Sequence, residues 1–401
     1  MRTVWNFFSA GQLTFGRGAV GQIGELAARR QLRRVLLVTD ANLVAAGIET
    51  QVRASLQAAG LDVQTFAEGQ AEPSLDVALA ATEAARRFVP QAILGLGGGS
   101  NIDVAKFAAV LYTHGGRPRD YFGFDHVPGP VVPLICVPTT AGTGSEVSHA
   151  AVLTDAANQL KVSSQSNYLR PVLAVVDPAL TDGCPRRVTA DAGIDALTHA
   201  IEAYTAVDYE TLPLAPGETS PYEGRFPITD GLAEQAIALI GRHLVAAVQD
   251  GNQAQARDGM ALAATLAGLA FSNAGVALVH ALEYPIGGAV HCTHGAGNGL
   301  LLPYVMRFNL PARTKASAQI ARLLGEPTAG LSEEQAAQCA VAAVERIRRQ
   351  IGIPERLRDL GVRADQLPVF AEKAFAIRRL RCVNPRVTTL SDLLQILQAA
   401  W

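Results

Sequence analysis

The chain has 401 residues, 49% of them apolar and 17% charged, with a formal net charge of −2. This length exceeds what one hydrophobic core usually organises, so two domains are expected, and the apolar content excludes a disordered chain. The near-neutral charge with no basic stripe argues against nucleic acid as a partner, and no run approaches the ~18 uninterrupted apolar residues of a membrane span.

Five cysteines, Cys136, Cys184, Cys292, Cys339 and Cys382, are odd in number, scattered and without a C-x-x-C pair. They read as reduced thiols of a cytosolic protein. The first residues carry aromatics but no apolar core of signal-peptide length, which also points to a cytoplasmic location.

Residues 34–40 read as a buried strand ending in Asp40, and 48–59 as a helix closed by Gly60. A strand at 63–66, a helix at 75–88 and strands at 92–96, 131–137 and 174–177 continue the alternation. Strands alternating with helices predict a parallel α/β sheet, with ligands outside the carboxyl ends of its strands. After Pro185 the pattern becomes helical, at 189–204, 230–248, 254–282, 295–308, 332–351 and 390–400. The expected division is therefore an α/β domain over 1–185 and an all-helical domain over 186–401. Residues 207–227 hold four prolines and no hydrophobic period, so they read as a long loop, a kind often functional or mobile.

Gly95-Leu-Gly97-Gly98-Gly99-Ser100 follows a strand and opens a helix. Glycines allow a sharp bend and a close backbone approach, and helix N-terminal amides attract an anion such as pyrophosphate. Ser100 is placed to cap that helix, with Asp103 at the capping-box position. Taken alone, this turn is equally compatible with a plain βα connection. A second loop, Pro138-Thr139-Thr140-Ala-Gly-Thr143-Gly-Ser145-Glu146, gathers hydroxyls at another strand's carboxyl end. Asp40 can hold an adenosine ribose hydroxyl and repel a 2′-phosphate, which favours NAD over NADP; it can also serve as a helix N-cap.

Asp195 and His199 lie four residues apart and on one face of a predicted helix that also carries Asp191 and Glu202. His280 sits in an apolar helix, where a lone imidazole is costly, and His294 opens a glycine-rich helix. One carboxylate and three imidazoles suit a divalent transition metal that polarises an oxygen. His291 and His149 compete for the same role.

Together these stretches, with the late Asn384-Pro-Arg386, resemble the iron-containing (group III) alcohol dehydrogenase family along essentially the whole chain. The resemblance implies an N-terminal dinucleotide-binding α/β domain and a helical C-terminal domain, the fold of the dehydroquinate synthase-like proteins, with the active site in the cleft between them. It implies Asp195, His199, His280 and His294 as ligands to Fe²⁺, or Zn²⁺ in some members. It places Gly97, Gly98, Gly99, Ser100 and Asp103 beside the pyrophosphate and nicotinamide of NAD. Thr139, Thr140, Thr143 and Ser145 line the rest of the dinucleotide, Lys161 and Leu180 lie near it, and Asp40 binds its ribose. A homodimer or higher assembly is usual in the family.

Three departures bear on function. Where many members carry a relay histidine, this chain has Tyr284, whose ordinary pKa near ~10 makes it a different proton carrier. Glu72-Pro73-Ser74 replaces an Asn-Pro-Thr that contacts the cofactor. The 207–227 loop and the tyrosine resemble the hydroxyacid-oxoacid transhydrogenase branch.

The expected activity is NAD-dependent, metal-assisted oxidation of a small alcohol, or reduction of its aldehyde or ketone. Tyr284 or His291 would carry the proton, Phe271 would form a pocket wall or pack in the core, and His149 is a further pocket candidate. The alternative, transhydrogenation or reduction of a small oxo acid at the same site, needs a cation such as Arg170 or Arg225. A nucleotide-binding protein without catalysis is the reading from another class.

Overall fold

In a computed structural model describing residues 2–155, 160–215 and 217–401, the chain forms two units, Phe8–Cys184 and Pro185–Trp401 with Met1–Phe7. The first unit contains β1 (Leu13–Phe15), α1 (Ile23–Arg29), β2 (Arg34–Val38), α2 (Ala41–Ala45), α3 (Ile48–Ala58) and β3 (Asp62–Phe66). It continues with α4 (Leu75–Phe88), β4 (Ala92–Gly97), α5 (Gly99–His114), β5 (Gly123–Phe124), β6 (Leu134–Pro138), β7 (Ala150–Asp155), β8 (Leu160–Gln165) and β9 (Leu173–Val176).

Strands β4 and β6 are buried along their whole length, the pattern of interior parallel strands covered on both faces. The sheet order is β1-β9-β6-β4-β2-β3, with every pairing parallel. Alternation along β2 sends Leu36 and Val38 to a core with Ala81 of α4 and Phe107 of α5. Val35 and Leu37 go to the opposite core, with Ile23 of α1 and Leu56 of α3.

The sequence reading has no strands between 96 and 131 or between 137 and 174, yet β5 from the first interval and β8 and β7 from the second form another, three-stranded sheet. Strands β7 and β8 pair antiparallel and carry Thr154, Asp155, Ser163, Ser164 and Gln165. This polar content removes the apolar run that marks the buried strands.

The second unit contains α6 (Arg186–Thr205), α7 (Pro227–Gln249), α8 (Ala254–Ala274), α9 (Leu278–Val290), α10 (His294–Asn309), α11 (Thr314–Leu323), α12 (Glu333–Ile351), α13 (Leu367–Ala376), α14 (Arg378–Arg381) and α15 (Leu390–Ala400). Among its described residues no β-strand occurs. The single helix expected over 254–282 is two, α8 and α9, bent by 103°. The break falls at Gly275, whose φ of +118° lies outside the helical region and suits glycine alone. Apolar residues flank the break on both sides, and Ser272-Asn273-Ala274-Gly275, which marks it, reads in the sequence as helix interior. Helix α7 is long and apolar enough by composition to cross a membrane, and it packs against α6 and α8.

The first residues join the helical unit rather than the α/β domain in which the 1–185 division puts them. Arg2 pairs with Glu223, and Trp5 stacks on Phe226 with centroids 4.4 Å apart. The described part of the 207–227 loop is pinned at both ends. The Val207 amide donates to Val383 O, the Arg225 amide to Val207 O and the Gly224 amide to Ala274 O. Further on, Asn384 and Asn309 exchange reciprocal side-chain hydrogen bonds of 2.8 and 2.9 Å, tying the Asn-Pro-Arg turn to the end of α10.

Candidate active site

From β2 the chain moves outward to β3, then returns across β2 to β4, so the sheet changes direction between β2 and β4. Ligands of open α/β sheets bind outside the carboxyl ends of such a strand pair. Here those ends carry Asp40 and the Gly97-Gly98-Gly99 turn. Gly97 has φ +142°, and a Cβ on Gly99 would come within 2.8 Å of Thr143 Cγ2, so the turn admits little but glycine. The amides of the first turn of α5 emerge at this point, a place suited to an anion.

Asp40 is both an N-cap and a tie across the crevice. Its Oδ1 accepts from the amides of Asn42 and Leu43, and its Oδ2 accepts from Asn101 Nδ2 at 2.7 Å. The N-cap of α5 is Gly98, so Ser100 lies in the first turn and does not cap, correcting the capping-box expectation. Asp103 instead turns inward, accepting from Ser145 Oγ at 2.6 Å and from the Val152 amide at 3.0 Å.

Lys106, unassigned by sequence, is fully buried, and its ammonium lies within 3.2 Å of Ser145 O and Oγ, Ser148 O and Oγ, and Ala150 O. This cation gathers the hydroxyl-rich loop onto α5. The loop is also held by the Thr139 amide donating to Gly97 O and by the Ser145 amide donating to Thr143 Oγ1. Thr140 lies beside Gly98. Lys161 pairs with Glu72 at 3.0 Å, Leu180 is buried in the core beneath the sheet, and His149 is buried beside Arg170.

In the helical unit, α6, α9 and α10 bring three of the four expected ligands together. Donor atoms of Asp195, His280 and His294 all lie within 4.8 Å of one another. The fourth, His199, stands at their flank. Its ring stacks on His280 at 4.9 Å and on Phe271 at 4.1 Å, with Nδ1 3.9 Å from Asp195 Oδ2. Phe271 thus packs against the cluster itself. Burial alone would raise the Asp195 carboxyl, but the facing His199, His294 and His280 and the Asn298 amide outweigh it and hold it below the usual carboxylate range.

Two buried carboxylates orient the imidazoles. His280 Nδ1 donates to Glu202 Oε2 at 2.6 Å, while Glu202 Oε1 accepts from the Val279 amide at 2.7 Å. His294 Nδ1 donates to Glu283 Oε2, also at 2.6 Å. With Nδ1–H fixed in this way, each Nε2 is left to bind a cation, the arrangement typical of metal-bound histidines. Sequence reading placed Glu202 on the right helix without giving it a role, and missed Glu283 and Asn298. A one-carboxylate, three-imidazole donor set with such backing fits Fe²⁺ or Zn²⁺.

Helix α10 reaches α6 only because of its glycines. A Cβ on Gly295 would lie 1.9 Å from Asp191 O, and one on Gly299 would lie 2.5 Å from Ile194 Cγ1. Asp191 also accepts from Thr293 Oγ1 at 2.7 Å, fixing the residue before His294.

Tyr284 lies with its ring centroid 6.0 Å from that of His294, and Arg379 lies over its face. His291 is exposed and forms the left-handed cap of α9, with φ 54°. Both arginines considered for an oxo acid already have protein partners. Arg225 pairs with Asp230, and Arg170 donates to Val147 O and Asn167 Oδ1.

Gly295→Ala forces α10 away from α6 and is expected to destabilise the protein by ~1–3 kcal/mol, the usual range for overpacking, and to reduce metal content. Gly231→Ala on α7, where an added Cβ meets nothing within 4 Å, is the control and is expected to be neutral or stabilising. Thermal denaturation and metal analysis check both. Equal melting temperature and metal content in Gly295→Ala and the parent would contradict the close-approach argument.

Residues 10–178 match the family described as iron-containing alcohol dehydrogenase, and residues 222–401 match the C-terminal region of the same family. The chain is 38% identical to the NAD-dependent methanol dehydrogenase of Bacillus methanolicus, covering 98% of this chain and 99% of that one. It is 37% identical to the 1,3-propanediol dehydrogenase of Citrobacter freundii, covering 96% of each. A crystal structure of a 1,3-propanediol oxidoreductase superposes with a TM-score of 0.93 at 36% identity, over 99% of this chain and 100% of that one. An alcohol dehydrogenase from Oenococcus oeni gives 0.92 at 33% identity, with the same coverage. With the donor cluster in its helical unit and the glycine turn at its sheet's reversal point, the chain belongs to the iron-containing alcohol dehydrogenase family and is an alcohol-oxidising oxidoreductase.

Proposed function

We propose that the chain interconverts small alcohols and their aldehydes or ketones, with NAD as hydride carrier and one Fe²⁺ held by Asp195, His199, His280 and His294. The convergence of the Asp195, His280 and His294 donor atoms, with Glu202 and Glu283 behind the two imidazoles, carries this reading. A divalent cation in that set supplies Lewis acidity toward an alcohol oxygen. His199 joins the set from its place against Phe271, and Phe271 gives the site an apolar wall. Tyr284 Oη relays the alcohol proton, accepting it as its own hydroxyl proton passes toward solvent, and His291, at the exposed end of α9, is the alternative carrier.

The Gly97-Gly98-Gly99 turn and the first amides of α5 receive the pyrophosphate, beside Ser100, Thr140 and Thr143. The second Asp40 oxygen receives the ribose, and its charge selects NAD against a 2′-phosphate. The NAD-dependent methanol dehydrogenase among the relatives supports the same choice. Asp103, Ser145 and Lys106 serve this end by shaping the loop rather than by touching cofactor. The pairing of Arg170 and Arg225 within the protein favours an uncharged alcohol over an oxo acid.

Chelator-stripped protein is expected to lose NADH-linked turnover and regain it with Fe²⁺ or Zn²⁺. Full turnover by metal-free protein would contradict the assignment. Asp40→Ser keeps an N-cap but removes the negative charge. It is expected to shift the NAD-to-NADP ratio of kcat/KM toward NADP by roughly tenfold, about 1.4 kcal/mol. An unchanged ratio would remove Asp40 from cofactor selection.

A further inference from the structure

We infer that Asn298 is a positioning residue that holds the metal ligands together when the protein is stripped of metal and releases them to the cation. The inference rests on the metal site proposed above and concerns how that site survives without metal. Asn298 is fully buried on α10, one turn beyond His294. Its Nδ2 lies 2.8 Å from Asp195 Oδ1, 3.2 Å from His280 Nε2 and 3.1 Å from His294 Nε2. One amide nitrogen therefore faces the three atoms that converge on the metal position.

With both imidazoles neutral and Nδ1–H committed to a glutamate, each Nε2 offers a lone pair, and the amide supplies the donors. A flipped amide would set its oxygen against a carboxylate oxygen and two lone pairs, which fixes the orientation. The outward Oδ1 is buried without a hydrogen-bond partner. Such an orphan is costly, so the nitrogen is the part that this position requires.

An imidazole nitrogen has one lone pair, which goes either to an N–H or to a cation. A carboxylate oxygen has enough to serve both. Metal loading therefore removes the two Asn298–histidine bonds and leaves the Asn298–Asp195 bond in place. The two N–H donors of the amide are shared among three acceptors in the metal-free site, and only Asp195 still accepts from them in the loaded site. Deleting it should harm the metal-free form more than the loaded one, and zinc binding should tighten.

The test compares the parent with Asn298→Ala and the isosteric Asn298→Asp, each chelator-stripped and then titrated with Zn²⁺, by calorimetric melting and direct zinc-binding measurement. The expected result is a melting temperature that falls mainly in the metal-free form, a larger zinc-induced gain, and a zinc Kd lower by roughly tenfold, as the loss of two competing hydrogen bonds implies. A variant that folds only with zinc is the extreme form of that result. Equal losses with and without zinc, failure to fold in both conditions, or a weaker zinc Kd would overturn the inference. A parent protein that gains nothing from zinc would instead overturn the metal site itself, so the two failures are distinguishable.

Discussion

Buried charge needs a partner, and the helical unit buries three carboxylates in one cluster: Asp195 at 2% exposure, Glu202 at 4% and Glu283 at 0%. Removing such groups from water costs several kcal/mol each unless opposite charge and hydrogen bonds compensate. Two of them take imidazole N–H donors, and the third faces the imidazoles and an amide. A divalent cation among the Nε2 atoms and Asp195 completes the compensation, so the cluster is built around a positive charge. Polar groups arranged in this way also specify a single core packing, because any slip of one helix leaves a carboxylate alone.

The backbone devices around the cluster serve that arrangement. The turn at Gly275 bends α9 by 103° from α8, separating Phe271 and His280 into two helices that both face His199. Gly295 and Gly299 let α10 lie against α6, which sets His294 and Asn298 beside Asp195. In the α/β unit one buried cation, Lys106, has the matching role, holding the hydroxyl-rich loop to the helix that follows the glycine turn. Each unit thus relies on a buried polar anchor to shape the surface that does chemistry.

Much of this was legible in the chain itself. Helices 75–88 and 390–400 appear with the bounds expected from the sequence, and the buried strands announce themselves by unbroken apolar runs. Asp195, His280 and His294 could be paired from spacing and burial cost. What could not be read depends on contacts between elements. The β7–β8 ladder is too polar to stand out, and the Gly275 break lies between two apolar stretches with only Ser272, Asn273 and the glycine to mark it. Ser100 looks like a cap but falls two residues too late, because Gly98 already occupies that place. Glu283 and Asn298 look like ordinary polar helix residues until α9 and α10 are packed on α6. Lys106 lies within a recognised motif, but its role depends on carbonyls some 40 positions later in the chain.

The most direct measurement of the central claim is anomalous X-ray scattering from crystals of the protein reconstituted with Zn²⁺ or Fe²⁺. The account predicts one strong peak per chain, at about 2.0–2.2 Å from an Asp195 oxygen and from the Nε2 atoms of His280 and His294, with His199 swung in as the fourth ligand. A principal peak elsewhere, or none in a protein that turns over, would contradict it.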